Sequence, residues 1–273
     1  MQRFGGRFGN VPPAVLNLLI INVILFLATS LFRNQGFDLT RWLALYYPGS
    51  EFFRPYQLIT HMFMHGGVTH LFFNMFALWM FGRVLEGVWG SQRFLIYYFI
   101  TGLGAAGLHL LVNYFQLGNI AAEASAAINT MSPEVFAQFV KDFFPRHMSN
   151  IANFLEAWMN DPSNPGYAAE ATSFVQNTVS QKINIPTVGA SGAVFGVLLA
   201  FGMLFPNTRL MLIFPPIPIK AKWFVIGYGV IELYSGIANN PGDNVAHFAH
   251  LGGMIFGFLL IKYWNKNNRK KFY

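Results

Sequence analysis

Cysteine is absent from all 273 residues. That excludes a disulfide framework and thiol catalysis. Charge is scarce too. Asp, Glu, Lys and Arg make up 11% of the chain, against roughly 25% in soluble domains. A zinc-protease H-E-x-x-H is missing, and no internal repeat is visible. What fills the space is apolar: 54% of residues are hydrophobic and 17% aromatic.

The apolar residues come in runs near the length of about 20 that crosses a bilayer. Six are read, near 13–32, 69–89, 94–115, 188–206, 222–238 and 245–264. The fold class expected is an all-α polytopic membrane protein with six transmembrane helices. Lys and Arg give its orientation. Both tails and the loops after the second and fourth runs carry Arg3, Arg7, Arg83, Arg93, Arg209, Lys220, Lys222 and the basic C-terminus, with Glu86 as the one acid. The opposite side has more acids than bases. The positive-inside rule therefore places both termini in the cytoplasm. For a bacterial chain, the plasma (inner) membrane is expected. The start, "MQRFGGRFGNVPP", reads as a short basic tail rather than a cleaved signal. The end, "KNNRKKF", reads as a headgroup anchor rather than a nucleic-acid site.

The expected organisation is a tail at 1–12, spans at 13–115, an insertion at 116–187, spans at 188–264 and a tail at 265–273. Residues 33–60 are aromatic enough to lie in the membrane interface. The insertion carries helical stripes, Phe136-Phe139-Val140-Phe143 and Ile151-Phe154-Leu155-Trp158. It is therefore expected to be helical and non-cytoplasmic, with Ser132 capping and Pro133 in the first turn.

Polar residues inside apolar spans are rare and tend to serve function. Here they share one depth. Ser191 opens the fourth span, His61, His65, His70 and Asn74 lie at the start of the second, and His247 and His250 open the sixth. His70 and Asn74 are four apart and share a helix face. Gly192 and Gly196 form a GxxxG pair below Ser191, and Gly253 and Gly257 form another below His250. Such faces let helix backbones approach closely. A serine hydroxyl needs a base in hydrogen-bond reach, and His250 is placed to be that base. The developing oxyanion needs donors, which His70, Asn74 and the Ser191 N–H can provide. Glu232 lies within the fifth span but receives no role, and no carboxylate is expected to orient the histidine. The expectation is a Ser–His dyad.

These residues resemble the rhomboid family of intramembrane serine proteases. "GASG" matches its Gly-x-Ser-Gly, "HGGVTHLFFN" its His-x-x-x-Asn element, and "AHLGGMIFG" its His followed by GxxxG. The resemblance covers about residues 50–262 outside the insertion. It implies Ser191 as nucleophile, His250 as base, and His70, Asn74 and Ser191 as oxyanion donors, with Gly189, Gly192, Phe195, Gly253 and Gly257 in support. His247 lacks the spacing to the glycines. Two departures stand out. Phe195 stands where many members carry a tyrosine against the histidine, and "PYQLIT" replaces a Trp-Arg pair. Phe195 is expected to stack on the imidazole all the same.

What the resemblance implies is hydrolysis of a peptide bond in or near another protein's transmembrane segment. The expected partners are transmembrane substrates and the lipid bilayer. No metal, nucleotide or other cofactor and no nucleic acid is implied. The alternatives are a non-catalytic rhomboid-like protein that binds membrane proteins, and a membrane metalloenzyme using His61/His65 and His247/His250.

Overall fold

A computed structural model describes residues 11–211, 216–238 and 245–267. Most of the two basic tails lies outside them. The structure is mainly helical, and among the described residues three helices are long and apolar enough to cross a membrane: Pro13–Asn34, Val68–Trp89 and Ser91–Asn129.

Helix α1 (Pro13–Asn34) starts where Pro13 presets the first turn. Its first free N–H groups are met by a distant carboxylate. Glu86 accepts from Ala14 N at 2.9 Å and Val15 N at 2.8 Å, and from Ser91 Oγ at 2.6 Å. An anion at a helix N-terminus is favourable both for the N–H bonds and for the helix dipole. Glu86 is thus a buried cap that ties α1 to the second span.

After the short α2 (Leu39–Leu43) and α3 (Gln57–Thr60), a single 3-10 turn covers His61–Phe63. The second span is α4 (Val68–Ala77), a π-turn at Leu78–Gly82, and α5 (Arg83–Trp89). It begins just past Gly66-Gly67.

Helix α6 (Ser91–Asn129) is 39 residues long. At about 1.5 Å per residue it reaches nearly 60 Å, twice a bilayer's hydrocarbon core. The sequence reading ends the span at 115, but the helix runs on. The reason is "AAEASAA" at 121–127, rich in the strongest helix former. Against this outer half pack α7 (Pro133–Phe143), α8 (Met148–Asn160) and α9 (Pro165–Ile183). Ser132 Oγ accepts from Val135 N at 3.2 Å and caps α7. Phe136, Phe139, Val140, Ile151, Trp158 and Val175 join Ile120 and Ala124 of α6 in a core separate from that of the remaining helices.

The last three long helices are α10 (Ser191–Leu204), α11 (Ala221–Ala238) and α12 (His247–Asn267). Between α10 and α11 a two-stranded antiparallel ribbon departs from the all-helical expectation. It pairs β1 (Arg209–Met211) with β2 (Pro218–Lys220), with Leu210 opposite Ile219. Pro206, Pro216 and Pro218 bar a helix there. The main core joins α1, the second span, α6, α10, α11 and α12 through residues such as Val15, Leu78, Phe94, Tyr97, Val197 and Ile261. Outside it, large apolar side chains face outward: Leu27, Phe72, Phe115, Val230 and Ile237 are all more than half exposed. Apolar surface on that scale needs a lipid or protein cover.

Candidate active site

The site is built on a pinned loop. Thr187 and Leu45 exchange backbone bonds of 2.9 and 2.8 Å, and Gly189 N donates to His61 O at 3.0 Å. Gly189 has φ +128°, a backbone region that side-chain-bearing residues rarely adopt. The segment before the second span that holds this loop is organised by buried Gln57. Its amide donates to Trp42 O (3.1 Å) and Phe52 O (2.9 Å), and its carbonyl accepts from Arg54 N (3.0 Å). Gln57 lies in the "PYQLIT" stretch, and the sequence reading missed its role.

Ser191 then starts α10. The first N–H to find an acceptor through that turn is Val194, which donates to Ala190 O at 2.9 Å. The N–H groups of Ser191, Gly192 and Ala193 precede it and, like any first turn, have no partner within the helix. They are donors held beside the hydroxyl.

His250 lies one turn into α12, and the glycines decide how near it comes. A Cβ on Gly253 would overlap the Gly192 carbonyl. The two helices meet there backbone to backbone. The other two glycines face α6 instead. A Cβ on Gly196 would press on Thr101, and one on Gly257 on the Tyr97 hydroxyl. Tyr97 Oη also donates to Gly196 O at 2.9 Å. The closest backbone approach is thus Gly253 on the Gly192 carbonyl, while a Cβ on Gly192 itself would meet Ala105, so Gly192, Gly196 and Gly257 all make room for α6.

With the backbones so close, Ser191 Oγ and His250 Nε2 stand 2.8 Å apart. Phe195, one turn along α10 from Ser191, stacks on the imidazole with ring centres 4.2 Å apart and planes 5° from parallel. The opposite ring nitrogen brings a correction. The expectation that no carboxylate reaches the histidine does not hold. Glu232 Oε2 on α11 lies 3.0 Å from His250 Nδ1. This contact is one of distance and charge, because the Nδ1 direction is off line for a hydrogen bond. The same oxygen lies 2.6 Å from His247 Nδ1 in a well-formed hydrogen bond.

His70 packs against Gly189. A Cβ on that glycine would fall 2.9 Å from His70 Nε2 and 3.5 Å from Ser191 Oγ, so imidazole and hydroxyl flank one glycine. Asn74 Nδ2 donates to His70 O at 3.0 Å, back along its own helix. A cavity of about 20 Å³ beside Ser191 is lined by His61, His109, Thr187, Gly189 and Ala249, room for one water-sized molecule.

The remaining histidines are structural neighbours. His61 Nδ1 bonds to Gln57 O at 2.8 Å. His65 packs edge-on against His70 at 5.1 Å. Both lie before the second span, and burial pushes each imidazole down to about 4; for His65 the nearby His70 adds to the effect. His109 is held by Thr187 Oγ1 at 2.8 Å. His147 packs on Phe144 and Phe174 in the second core.

Among the described residues, Glu232, His247 and His250 bring potential metal-ligand atoms within 4.8 Å of one another. His61 and His65 do not join them. The donor types suit zinc, but ligands on one tetrahedral zinc stand about 3.3 Å apart, and the 2.6 Å between Glu232 Oε2 and His247 Nδ1 is a hydrogen-bond length.

A rhomboid domain profile matches residues 53–154 and 164–266. The chain is 26% identical over 241 residues to RHOMBOID-like protein 12, mitochondrial, of Arabidopsis thaliana, covering 88% of this chain and 54% of that protein. It is 27% identical over 201 residues to the same plant's Rhomboid-like protein 11, chloroplastic, covering 71% and 66%. Against rhomboid protease GlpG of Klebsiella pneumoniae it is 29% identical over 94 residues, covering 34% of this chain and 33% of that one. The chain thus spans between half and two thirds of the length of the two plant relatives. With three-quarters of its residues inside the matched domain, the chain belongs to the rhomboid family.

Proposed function

We propose that the protein is an intramembrane serine endopeptidase that cuts a peptide bond in or near the transmembrane segment of another membrane protein. The observation that carries this reading is the 2.8 Å contact of Ser191 Oγ with His250 Nε2, on a chain related to rhomboid proteases. His250 Nε2 takes the hydroxyl proton as Oγ attacks the scissile carbonyl carbon. The carbonyl oxygen becomes an oxyanion held by the Ser191 N–H, with His70 and Asn74 as further donors. Collapse breaks the C–N bond, and His250 hands its proton to the leaving amine. Water then loses a proton to His250, attacks the acyl ester, and Ser191 recovers its hydrogen.

The six-span arrangement belongs to this proposal. So do the cytoplasmic termini and the non-cytoplasmic position of the insertion. Arg93 lies 4.2 Å over the Trp264 ring and Trp89 packs edge-on against Trp264 at 5.6 Å. That is an interfacial aromatic–arginine cluster, and it lies on the side assigned to the cytoplasm. α10 is 14 residues, about 21 Å at the helical rise, shorter than the hydrocarbon core. Ser191 then sits below the membrane surface.

The test is cleavage of a model transmembrane substrate in liposomes. Ser191→Ala and His250→Ala are each expected to lose at least about 10³-fold in turnover and to remain folded. Wild-type rates in either variant would reject the reading. The metalloenzyme alternative predicts loss of activity with EDTA. The non-catalytic alternative predicts substrate capture without cleavage by the unaltered protein.

A further inference from the structure

We infer that Glu232 is a positioning residue for His250, so that the site works as a Ser191–His250–Glu232 chain with His247 holding the carboxylate in place. The inference rests on the protease reading above. It starts from a carboxylate in an unexpected place. On α11, Val230, Ile231, Leu233 and Tyr234 are 48–74% exposed, whereas Glu232 among them is 7% exposed. The helix turns its one acidic group inward. A buried carboxylate is costly unless it is paired and hydrogen-bonded, and two imidazoles converge on Oε2, at 2.6 Å from His247 and 3.0 Å from His250.

The ends of the His250 ring then have separate partners. Nε2 faces the Ser191 hydroxyl and Nδ1 faces the carboxylate. A neutral imidazole carries one proton. The carboxylate's negative charge 3.0 Å from Nδ1 favours the proton on Nδ1 and leaves the Nε2 lone pair for the serine hydrogen. The other tautomer has Nε2–H and is no base toward Ser191. When Nε2 takes the proton, the new positive charge lies beside Glu232. His247 completes the logic. Its bond to the same oxygen fixes a side chain with several rotatable bonds. Phe195 stacks on the ring's face, so in-plane rotation, the motion the stack restrains least, is set at the ring's two nitrogens.

The test compares purified wild type, Glu232→Gln, Glu232→Asp and His247→Gln in liposomes. Three readouts are needed: kcat and KM on a transmembrane substrate, the rate of Ser191 labelling by a fluorophosphonate, and the melting temperature. Glu232→Gln is expected to lower kcat at least about 10²-fold, toward the loss of about 10⁴-fold that follows replacement of the orienting carboxylate in a serine-protease triad. KM should stay within about threefold, and labelling should slow in step with kcat. Glu232→Asp keeps the charge on a shorter arm and is expected to recover at least about tenfold of that loss. His247→Gln should cost about tenfold. A Glu232→Gln protein with kcat within about threefold of wild type would overturn the inference. So would equal losses for Asp and Gln that track the unfolded fraction, because Glu232 would then be packing. Loss of wild-type activity in EDTA, restored by zinc, with no bound zinc in Glu232→Gln, would make the three groups metal ligands and also overturn it. A folded wild type that neither cleaves nor labels would sink the protease reading and this inference with it, an outcome distinct from failure of the Glu232 variants alone.

Discussion

The two cores of this molecule are packed on opposite principles. Around Ser191, helices α6, α10 and α12 meet through Gly192, Gly196, Gly252, Gly253 and Gly257, and at Gly252 and Gly253 an added methyl group would meet backbone atoms. In the outer core, α7, α8 and α9 meet through large rings. Phe136 contacts Phe154, Trp158 and Phe174 with ring centres 5.5–6.3 Å apart. In water, packing of the second kind is driven by burial, because an aromatic ring removes much apolar surface from solvent. Lipid supplies no such drive, so helices in a membrane associate by close fit. The contrast gives the two regions different tolerances. A backbone-limited interface has nowhere to put an extra atom, and a ring-filled one can lose a side chain and relax.

The sharpest way to break the comparison is one methyl group at its tightest point. Gly253→Ala places a Cβ on the Gly192 carbonyl, a main-chain atom that cannot rotate away. α12 must shift, and His250 with it. Ser191 labelling is expected to fall at least about 100-fold, since displacement of about 1 Å at a reacting pair costs on that order. Gly118→Ala is the control: its Cβ would meet nothing within 4 Å, and labelling should be unchanged. Equal labelling by the two variants would show that the close approach does not set the Ser191–His250 distance.

In the outer core the loss is in stability instead. Phe136 is 1% exposed, and Phe136→Ala should cost about 3–5 kcal/mol there. Hydrogen exchange is expected to rise across α7–α9, while Ser191 labelling stays within about threefold. Loss of labelling in step with exchange would mean that the two cores fold as one unit.

How much of this was legible beforehand follows the same divide. Ser191, His250 and the glycines could be read because small residues at helical spacing beside a polar group leave a pattern in the sequence. Helix α7 was legible through its cap and stripe. Glu232 was not connected to the histidines, although it lies toward the C-terminal end of α11 and His250 near the start of α12, the next helix. Depth along a helix is written in the sequence, but the angle at which a side chain leaves a neighbouring helix depends on how the two pack. Gln57 and Tyr97 were missed for a related reason. Their partners are backbone carbonyls, and a carbonyl has no sequence signature. The continuation of α6 beyond the span read at 94–115 was not foreseen, because one helix serves both cores without changing conformation.

Acidification should reveal a smaller difference between the regions. His61 and His65 pack beside the Ser191 loop, and burial holds each imidazole down to about 4 from an ordinary value of 6.5. Between those values the unfolded chain binds more protons than the folded one. Stability therefore rises with pH in this window and is lost as pH falls from about 6.5 toward 4. Each site accounts for on the order of 3 kcal/mol. The thermal midpoint of the Ser191 core should drop across that range, and His65→Gln should flatten the drop. A midpoint constant from pH 6.5 to 4.5 would show that these imidazoles are not held neutral by the fold.

The smallest effect, and the one that sharpens the comparison most, concerns a large ring in the close-packed region that touches the reacting groups. Phe195 lies nearly parallel to His250 at 4.2 Å, with Tyr228 edge-on to it at 6.2 Å. The stack fixes the imidazole plane without adding a polar atom near Nδ1 or Nε2. Stacked aromatic pairs contribute about 0.5–1.5 kcal/mol beyond simple burial, which corresponds to about two- to twelvefold in rate if it is felt in the transition state. Phe195→Leu keeps most of the apolar volume and removes the flat face. It is expected to lower kcat by that modest factor, with KM unchanged and the melting temperature within a few degrees. Phe195→Tyr restores the face and should recover the rate. If Leu and Tyr give the same kcat, the ring acts as filler, and the plane of His250 is held by its two ends, Ser191 and Glu232, alone.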